Sequence, residues 1–290
     1  MVKNRPFASF LILQTRRIIL ALALIHFSLT IKASSLKDTL PPVTKSPENI
    51  QPEKAMHQQE PIPAGPIEID MLLGKIDPAN HPDFVMVDER FADKPGMFMR
   101  REAYEAFVKM HQAAAADGIS LVILSATRTF NDQLRIWNDK WNGRIMLDDN
   151  VVAANIDEPF ERALELLRFT AMPGTSRHHW GTDIDLNSVS NAYFNRGKGR
   201  RVYKWLRENA ARFGFCQPYT PWGQGRWAGY EEEKWHWSYK PVAERFLKAF
   251  EENINYSHIS GFDGWETAKE IRIIRNFVLN VNKECTVGSE

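Results

Sequence analysis

Two short stretches of this chain hold side chains able to do metal chemistry. The first, "TSRHHWGTDIDLN" (residues 175–187), sets two histidines, two aspartates and a tryptophan around Gly181. Buried imidazoles and carboxylates need partners, so such a segment is poor material for an apolar core. The second, "EEEKWHWSY" (residues 231–239), places Glu233 three residues before His236, which stands between Trp235 and Trp237. A surface charge run does not normally continue into two tryptophans, which gain by burial. Desolvation between them would keep the imidazole neutral and able to bind metal. Together, His178, Asp185 and His236 form a His/Asp/His set. Three N/O ligands leave the fourth tetrahedral position of one Zn²⁺ open for water. Glu233 would then be the base for that water, whose pKa the metal lowers towards about 7. Each stretch alone also has a plainer reading: an edge strand with a solvated acidic face, and a core histidine with a backbone partner. The better-known HExxH and paired CxxC signatures are absent from the sequence.

These residues need a scaffold to bring them together. After Gly181, residues 182–187 alternate, which on a strand puts Asp183, Asp185 and Asn187 on one face and Ile184 and Leu186 on the other. A second short strand is expected around 235–239 and a buried one at 119–124. Helical spacing marks 101–116, 131–141, 158–169 and 200–213, and a further helix carries Val242, Phe246, Leu247 and Phe250. A C-terminal helix is expected over 265–281, capped by Asp263. Helices interleaved with few short strands predict an α+β domain with one small, mainly antiparallel sheet.

Residues 67–290 would form that domain. Before them, residues 1–33 carry Lys3, Arg5, Arg16 and Arg17, an apolar run over 18–31, and Ala33 as a small exit residue. This pattern fits an export signal, with an uncleaved membrane anchor through 18–31 as the alternative. Residues 34–66 hold seven prolines among polar residues and read as a disordered tether. An exported protein of the periplasm or cell envelope follows. The formal net charge of +1 gives no broad basic face and argues against nucleic acid as a partner. Cys216 and Cys285 could pair in an oxidising compartment or stay reduced. Ser34-x-x-Lys37 matches SxxK, but it lies in the tether and no Lys-Thr-Gly follows, which removes a serine-type peptidase.

The pair of motifs Ser176-x-His178-x-x-Gly181-x-x-x-Asp185 and Glu233-x-Trp235-His236 resembles the VanY-type D-alanyl-D-alanine carboxypeptidases. These are zinc peptidases sharing their fold with the hedgehog signalling domain. The resemblance implies one Zn²⁺ on His178, Asp185 and His236, Glu233 as catalytic base, and peptidoglycan stem peptides as substrate. It extends to "SATRTFNDQ" (residues 125–133). There Arg128 would bind the substrate carbonyl or carboxylate and stabilise the oxyanion. Gln133 and Ser176 would be substrate-side hydrogen-bonding residues. Without the resemblance, Arg128 reads equally as one half of an ion pair at a helix start. The chain departs from the family's pattern at three positions. Asp183 stands where alanine is usual, and would either orient a ligand, the favoured reading, or compete as one. His179 is extra and would point away from the metal, and Ser238 occupies a position that is often arginine. Between the motifs, Tyr219, Trp222, Trp227 and Tyr230 alternate with glycines in a loop that either binds substrate or is pinned by its own aromatics. The same site could serve an endopeptidase or an L,D-carboxypeptidase, or persist in a binding module without catalysis. Neither the residues nor the resemblance specifies an oligomeric state.

Overall fold

The computed structural model describes residues 65–286 apart from Gln224. The expected signal or anchor, and the tether as far as residue 64, lie outside the described residues. Element order begins with α1 (Ile69–Leu72) and an antiparallel pair, β1 (Phe84–Met86) and β2 (Phe98–Arg100). There follow α2 (Arg101–Ala116), β3 (Ile123–Ser125), α3 (Phe130–Trp141) and α4 (Pro159–Leu166). Next come β4 (Asp183–Leu186), α5 (Asn191–Phe194), α6 (Gly197–Asn209) and β5 (Phe215–Cys216). The described chain closes with β6 (His236–Tyr239), α7 (Lys240–Asn253) and α8 (Ala268–Ile271). This is an α+β fold.

The helices form where the sequence gives them an apolar stripe and a start signal. Ala103, Phe107, Met110 and Ala114 recur at helical spacing along α2, and all four are buried. α3 opens with a capping box: Thr129 accepts from the backbone of Asp132, whose carboxylate accepts from the backbone of Thr129. Pro241 in the first turn starts α7, which buries Ala243, Phe246, Leu247 and Phe250.

One antiparallel sheet, ordered β3-β4-β6-β5, sets the register of the molecule's chemistry-bearing residues. Asp183 lies opposite Ser238, Ile184 opposite Trp237, and Asp185 opposite His236. Directly opposed residues have Cβ atoms roughly 5 Å apart. Sequence positions some fifty apart therefore meet on one face. The other face carries Ile184, Leu186 and Trp237, which join Trp235 in a core with Phe107 and Met110 of α2 and Val202 and Leu206 of α6. A second core gathers residues of α3, α4 and α7 with Trp180 and the C-terminal segment.

Two expected elements differ. The strand at 119–124 pairs only over Ile123–Ser125, with an irregularity in its register against β4. The helix expected over 265–281 is broken, and Asp263 does not cap it. Gly264, at φ 74°, precedes a 3₁₀ turn over Trp265–Thr267, while the Asp263 carboxylate accepts from Asn142. α8 ends at Arg272 in the left-handed region (φ 57°), and a π turn follows over Ile274–Val278. The break turns the chain along the 217–230 loop. There Asn280 donates to the Ala228 carbonyl, and Asn282 donates to those of Pro218 and Gln217. The path ends at Cys285, which is disulfide-bonded to Cys216.

Candidate metal centre

His178 sits in a 3₁₀ turn (Arg177–Trp180) that Ser176 caps by accepting from the His178 backbone N–H. Gly181, at φ 72°, ends that turn, and a Cβ there would run into the Phe84 ring. Only glycine fits a left-handed position so crowded. The turn lets the chain pass from His178 directly into β4.

The His178 ring is fixed by its Nδ1, which donates to the Ala126 carbonyl at 2.7 Å. Its Nε2 is therefore a lone pair, buried and without a hydrogen-bond partner. Asp185 Oδ1 lies 3.4 Å from that nitrogen and is likewise buried and unpartnered. His236 Nδ1 is 3.7 Å from the same oxygen. One ligand atom from each of His178, Asp185 and His236 lies within 4.8 Å of the others, in a group that could hold a metal ion. Two orphaned, convergent acceptors in a buried setting are costly without a cation. The donor set of two imidazoles and a carboxylate suits Zn²⁺.

Glu233 belongs to the turn before β6. Its backbone N–H donates to the Tyr219 carbonyl, and its own carbonyl accepts from Gln217 Nε2. Its Oε2 is 2.9 Å from His236 Nδ1, which places a carboxylate against the atom that faces Asp185. Burial pushes the Glu233 carboxyl above its ordinary pKa, and the hydrogen bond to His236 opposes the rise.

Asp183 lies behind His236. It is wholly buried, and four groups donate to it. Thr182 Oγ1 and Ser238 Oγ reach Oδ1 at 2.7 and 2.8 Å, while Arg177 Nε and His236 Nε2 reach Oδ2 at 2.9 Å each. Arg177 also donates to Ser238 Oγ and lies over the Trp180 ring. Burial alone would raise the Asp183 carboxyl, but the Arg177 charge and the His236 hydrogen bond outweigh it and hold the group well below the usual carboxylate range.

The neutrality expected of His236 from its flanking tryptophans needs correction. Alternation along β6 puts Trp235 and Trp237 in the core on the far side of the sheet. The rings that meet His236 are the His178 imidazole and Tyr219, at 4.7 and 4.8 Å between centroids. Burial disfavours the imidazolium, but hydrogen bonds to Asp183 and Glu233 prevail and push the pKa up to about 9. With Nε2–H held by Asp183, a cation at Nδ1 would replace the second proton.

Arg128 stands beside this group. Its backbone N–H donates to the His178 carbonyl, and its carbonyl accepts from His179 Nδ1 at 2.7 Å. Its Nε is buried without a partner. No ion pair within 4 Å involves it among the described residues, so the helix-start ion pair is not what holds it. His179 points to backbone on both sides, because its Nε2 accepts from the Gly174 N–H. Gln133, on α3, is buried, with Nε2 donated to the Ala171 carbonyl and Oε1 unpartnered. In the aromatic loop Tyr219 and Tyr230 are buried, whereas Trp222 and Trp227 are 48% and 59% exposed. The buried tyrosines pin the loop, and Trp222 Nε1 also donates to the Tyr230 carbonyl within it.

Sequence reasoning missed Arg177 as the charge partner of Asp183, and Tyr219 as a ring against His236. A lone arginine beside a histidine gives no sign of burial. The one legible hint was that Asp183 and Ser238 both depart from the family's pattern, and these two prove to be hydrogen-bonded to each other.

The profile of the family described as "VanY: D-alanyl-D-alanine carboxypeptidase" matches residues 96–242, half of the 290-residue chain. A D-alanyl-D-alanine carboxypeptidase of Enterococcus faecalis (strain ATCC 700802 / V583) is 32% identical over 133 residues, covering 45% of this chain and 44% of that one. A putative carboxypeptidase YodJ of Bacillus subtilis (strain 168) is 28% identical over 176 residues, covering 59% and 57%. The chain thus spans about half the length of these curated relatives. Among solved structures, VanYB in complex with D-alanine-D-alanine aligns with a TM-score of 0.43 at 25% identity, covering 61% of this chain and 87% of that one. The matched stretch runs from before β2 into α7 and contains every residue of the cluster described above. The chain belongs to the VanY D-alanyl-D-alanine carboxypeptidase family.

Proposed function

We propose that this protein is a zinc-dependent D-alanyl-D-alanine carboxypeptidase of the cell envelope that removes the terminal residue from peptidoglycan stem peptides. The observation that carries this reading is the convergence of His178 Nε2, Asp185 Oδ1 and His236 Nδ1, with Glu233 Oε2 at 2.9 Å from the last of these. His178, Asp185 and His236 would hold one Zn²⁺, which when bound supplies Lewis acidity at the scissile carbonyl and lowers the pKa of water.

Glu233 would take the proton of the attacking water and later pass it to the leaving amine. Burial favours that role, because it pushes the Glu233 carboxyl above its ordinary pKa and a raised pKa makes a carboxylate a stronger base. Arg128, with an unspent Nε–H in a buried position, would hold the carbonyl or carboxylate of the substrate and stabilise the oxyanion. Gln133 Oε1, a buried acceptor without a partner, would take a substrate N–H. The Ser176 hydroxyl, whose oxygen caps the His178 turn, would donate to the substrate. Asp183 would keep the proton of His236 on Nε2 and leave Nδ1 for the metal.

The test uses the zinc-loaded full chain with defined pentapeptide, tetrapeptide and crosslinked muropeptides, read by mass spectrometry. Loss of a single terminal D-alanine from the pentapeptide is expected. It should disappear with a chelator, and Glu233→Gln should retain zinc while turnover falls at least about a hundredfold. Cleavage confined to tetrapeptide would reassign the enzyme as an L,D-carboxypeptidase, and cleavage confined to crosslinked species as an endopeptidase. Parental turnover in Glu233→Gln would overturn the base assignment.

A further inference from the structure

Glu233 is not held by the strand ladder. It lies in the turn before β6, and within that turn its carbonyl accepts from the His236 N–H at 3.3 Å. Every other hydrogen bond to its backbone comes from one segment. Its N–H donates to the Tyr219 carbonyl at 2.9 Å, and its carbonyl accepts from Gln217 Nε2 at 3.1 Å. Gln217 Nε2 also donates to the Tyr219 carbonyl at 3.1 Å, and Gln217 Oε1 accepts from the Tyr203 hydroxyl of α6 at 2.9 Å. The side chain is buried, with both its donors and its acceptor in use. None of these bonds goes to His178, Asp185 or His236. Gln217 therefore bridges α6, the start of the loop and the backbone of Glu233.

The segment that carries Gln217 has little hold of its own. β5, just before it, is two residues long and lies at the edge of the sheet. What fixes the chain there comes from the C-terminal segment. Asn282 donates its backbone N–H to the Pro218 carbonyl at 2.8 Å and its Nδ2 to the Gln217 carbonyl at 3.2 Å. Cys285 is disulfide-bonded to Cys216. Asn282 and Cys285 both lie beyond the family-matched stretch, which ends at residue 242.

We propose that Gln217 and Asn282 are positioning residues for the base: the C-terminal segment locks the chain at 216–218, and Gln217 passes that lock to Glu233. This rests on the reading of Glu233 as the base. It puts a requirement of catalysis outside the stretch shared with the family. Proton transfer needs its partners within hydrogen-bond reach. A shift of about 1 Å that arises away from the reacting atoms can cost about a hundredfold in rate. The proposed zinc ligands have separate supports, since His178 sits in the turn capped by Ser176, while Asp185 and His236 oppose each other on β4 and β6. Arg128, Ser176 and Gln133 also belong to other segments. The signature of the lock is therefore a fall in kcat with zinc affinity and KM kept.

Gln217→Met keeps the side chain's length and removes its donors and acceptor. Each group left behind retains a second partner. The Tyr219 carbonyl has the Glu233 N–H, the Glu233 carbonyl has the His236 N–H, and the Tyr203 hydroxyl has Glu232 Oε1. The fold should survive. Asn282→Ala, which leaves Gln217 in place, is the second variant and carries the same tests alone if the first does not fold. With the zinc-loaded full chain and a pentapeptide ending in D-alanyl-D-alanine, kcat should fall about ten- to a hundredfold in each, with KM and zinc affinity within about twofold. Asn280→Ala removes the bond to the Ala228 carbonyl, farther along the same loop, and should keep the parental kcat. A merely structural role would lower the stability of all three variants and spare kcat per zinc-loaded molecule. Amide hydrogen exchange gives a readout without turnover. The Glu233 N–H should exchange about tenfold faster in both test variants, while the Leu186 N–H, which donates to the Trp235 carbonyl, should not change. Parental kcat in either test variant, an equal loss in Asn280→Ala, or unchanged exchange at Glu233 would overturn the proposal. If the parental chain cleaves no peptide while exchange at Glu233 rises as expected, the peptidase reading falls and the positioning stands.

Discussion

Replacing Asp183 by asparagine tests whether the proposed ligand His236 depends on a charge behind it. The change keeps the side chain's shape. In Asp183→Asn the amide oxygen, standing where Oδ1 is now, would still accept from Thr182 Oγ1 and Ser238 Oγ, so those two hydrogen bonds survive. The loss falls on Oδ2, where an amide N–H would meet two donors, Arg177 Nε and His236 Nε2, each now 2.9 Å from the carboxylate. Arg177 and Asp183 side chains are both fully buried, so solvent cannot take over the charge. Removing one member of a buried ion pair costs about 3–5 kcal/mol, because the other is left uncompensated. The contacts of Arg177 to Ser238 Oγ and Trp180 remain, and they place the expected cost near about 3 kcal/mol. His236 would lose the acceptor that holds its Nε2 proton, and zinc affinity should fall about 10–100-fold. Urea unfolding of the metal-free protein gives the first quantity, and titration against a competing chelator gives the second. A loss below about 1 kcal/mol, the worth of an exposed pair, together with unchanged zinc affinity, would refute the reasoning.

Two further perturbations probe the frame around the site. His179 is neutral in the fold, its pKa pushed down to about 3 by burial and only partly restored by its hydrogen bond to the Arg128 carbonyl. Unfolded, it would titrate near about 6.5. Between those values the unfolded chain binds the extra proton, so this stability is present above about pH 6.5 and is lost as pH falls, by up to about 1.4 kcal/mol per pH unit. The slope should flatten in His179→Gln, measured by urea unfolding from pH 7.5 to 5, and an unchanged slope would place the proton elsewhere. Removing the disulfide with Cys216→Ser and Cys285→Ser frees a closed loop whose ends are 69 residues apart. Chain entropy then predicts a loss of about 4 kcal/mol relative to the oxidised parent. Equal midpoints and slopes in urea for the oxidised parent and the double variant would show that the bond does not constrain the unfolded chain.

What the sequence determined by itself is the inventory of the site. His178, Asp185, His236 and Glu233 are nominated by two motifs that each have a plainer use alone and that point to metal chemistry as a pair, and alternation over 182–187 puts the two aspartates on one strand face. Helices with strong apolar stripes, such as α2, were legible because local periodicity and the core agree. The C-terminal segment was misread as one helix, since a left-handed Arg272 carries no local signal. It bends to follow the 217–230 loop to the disulfide, a tertiary demand. Register is equally invisible to spacing. Only the pairing of β4 with β6 decides that Asp185 faces His236 and that Asp183 meets Ser238, and a slip by one residue would turn every one of these side chains to the opposite face. Burial decides the rest. Arg177 and Lys140 are both basic residues with no basic pattern around them in the sequence, yet the fold encloses one against a carboxylate and leaves the other half-buried beside a hydroxyl. That difference depends on where the helices and loops pack, because a charge's partner is set by the three-dimensional distance to it.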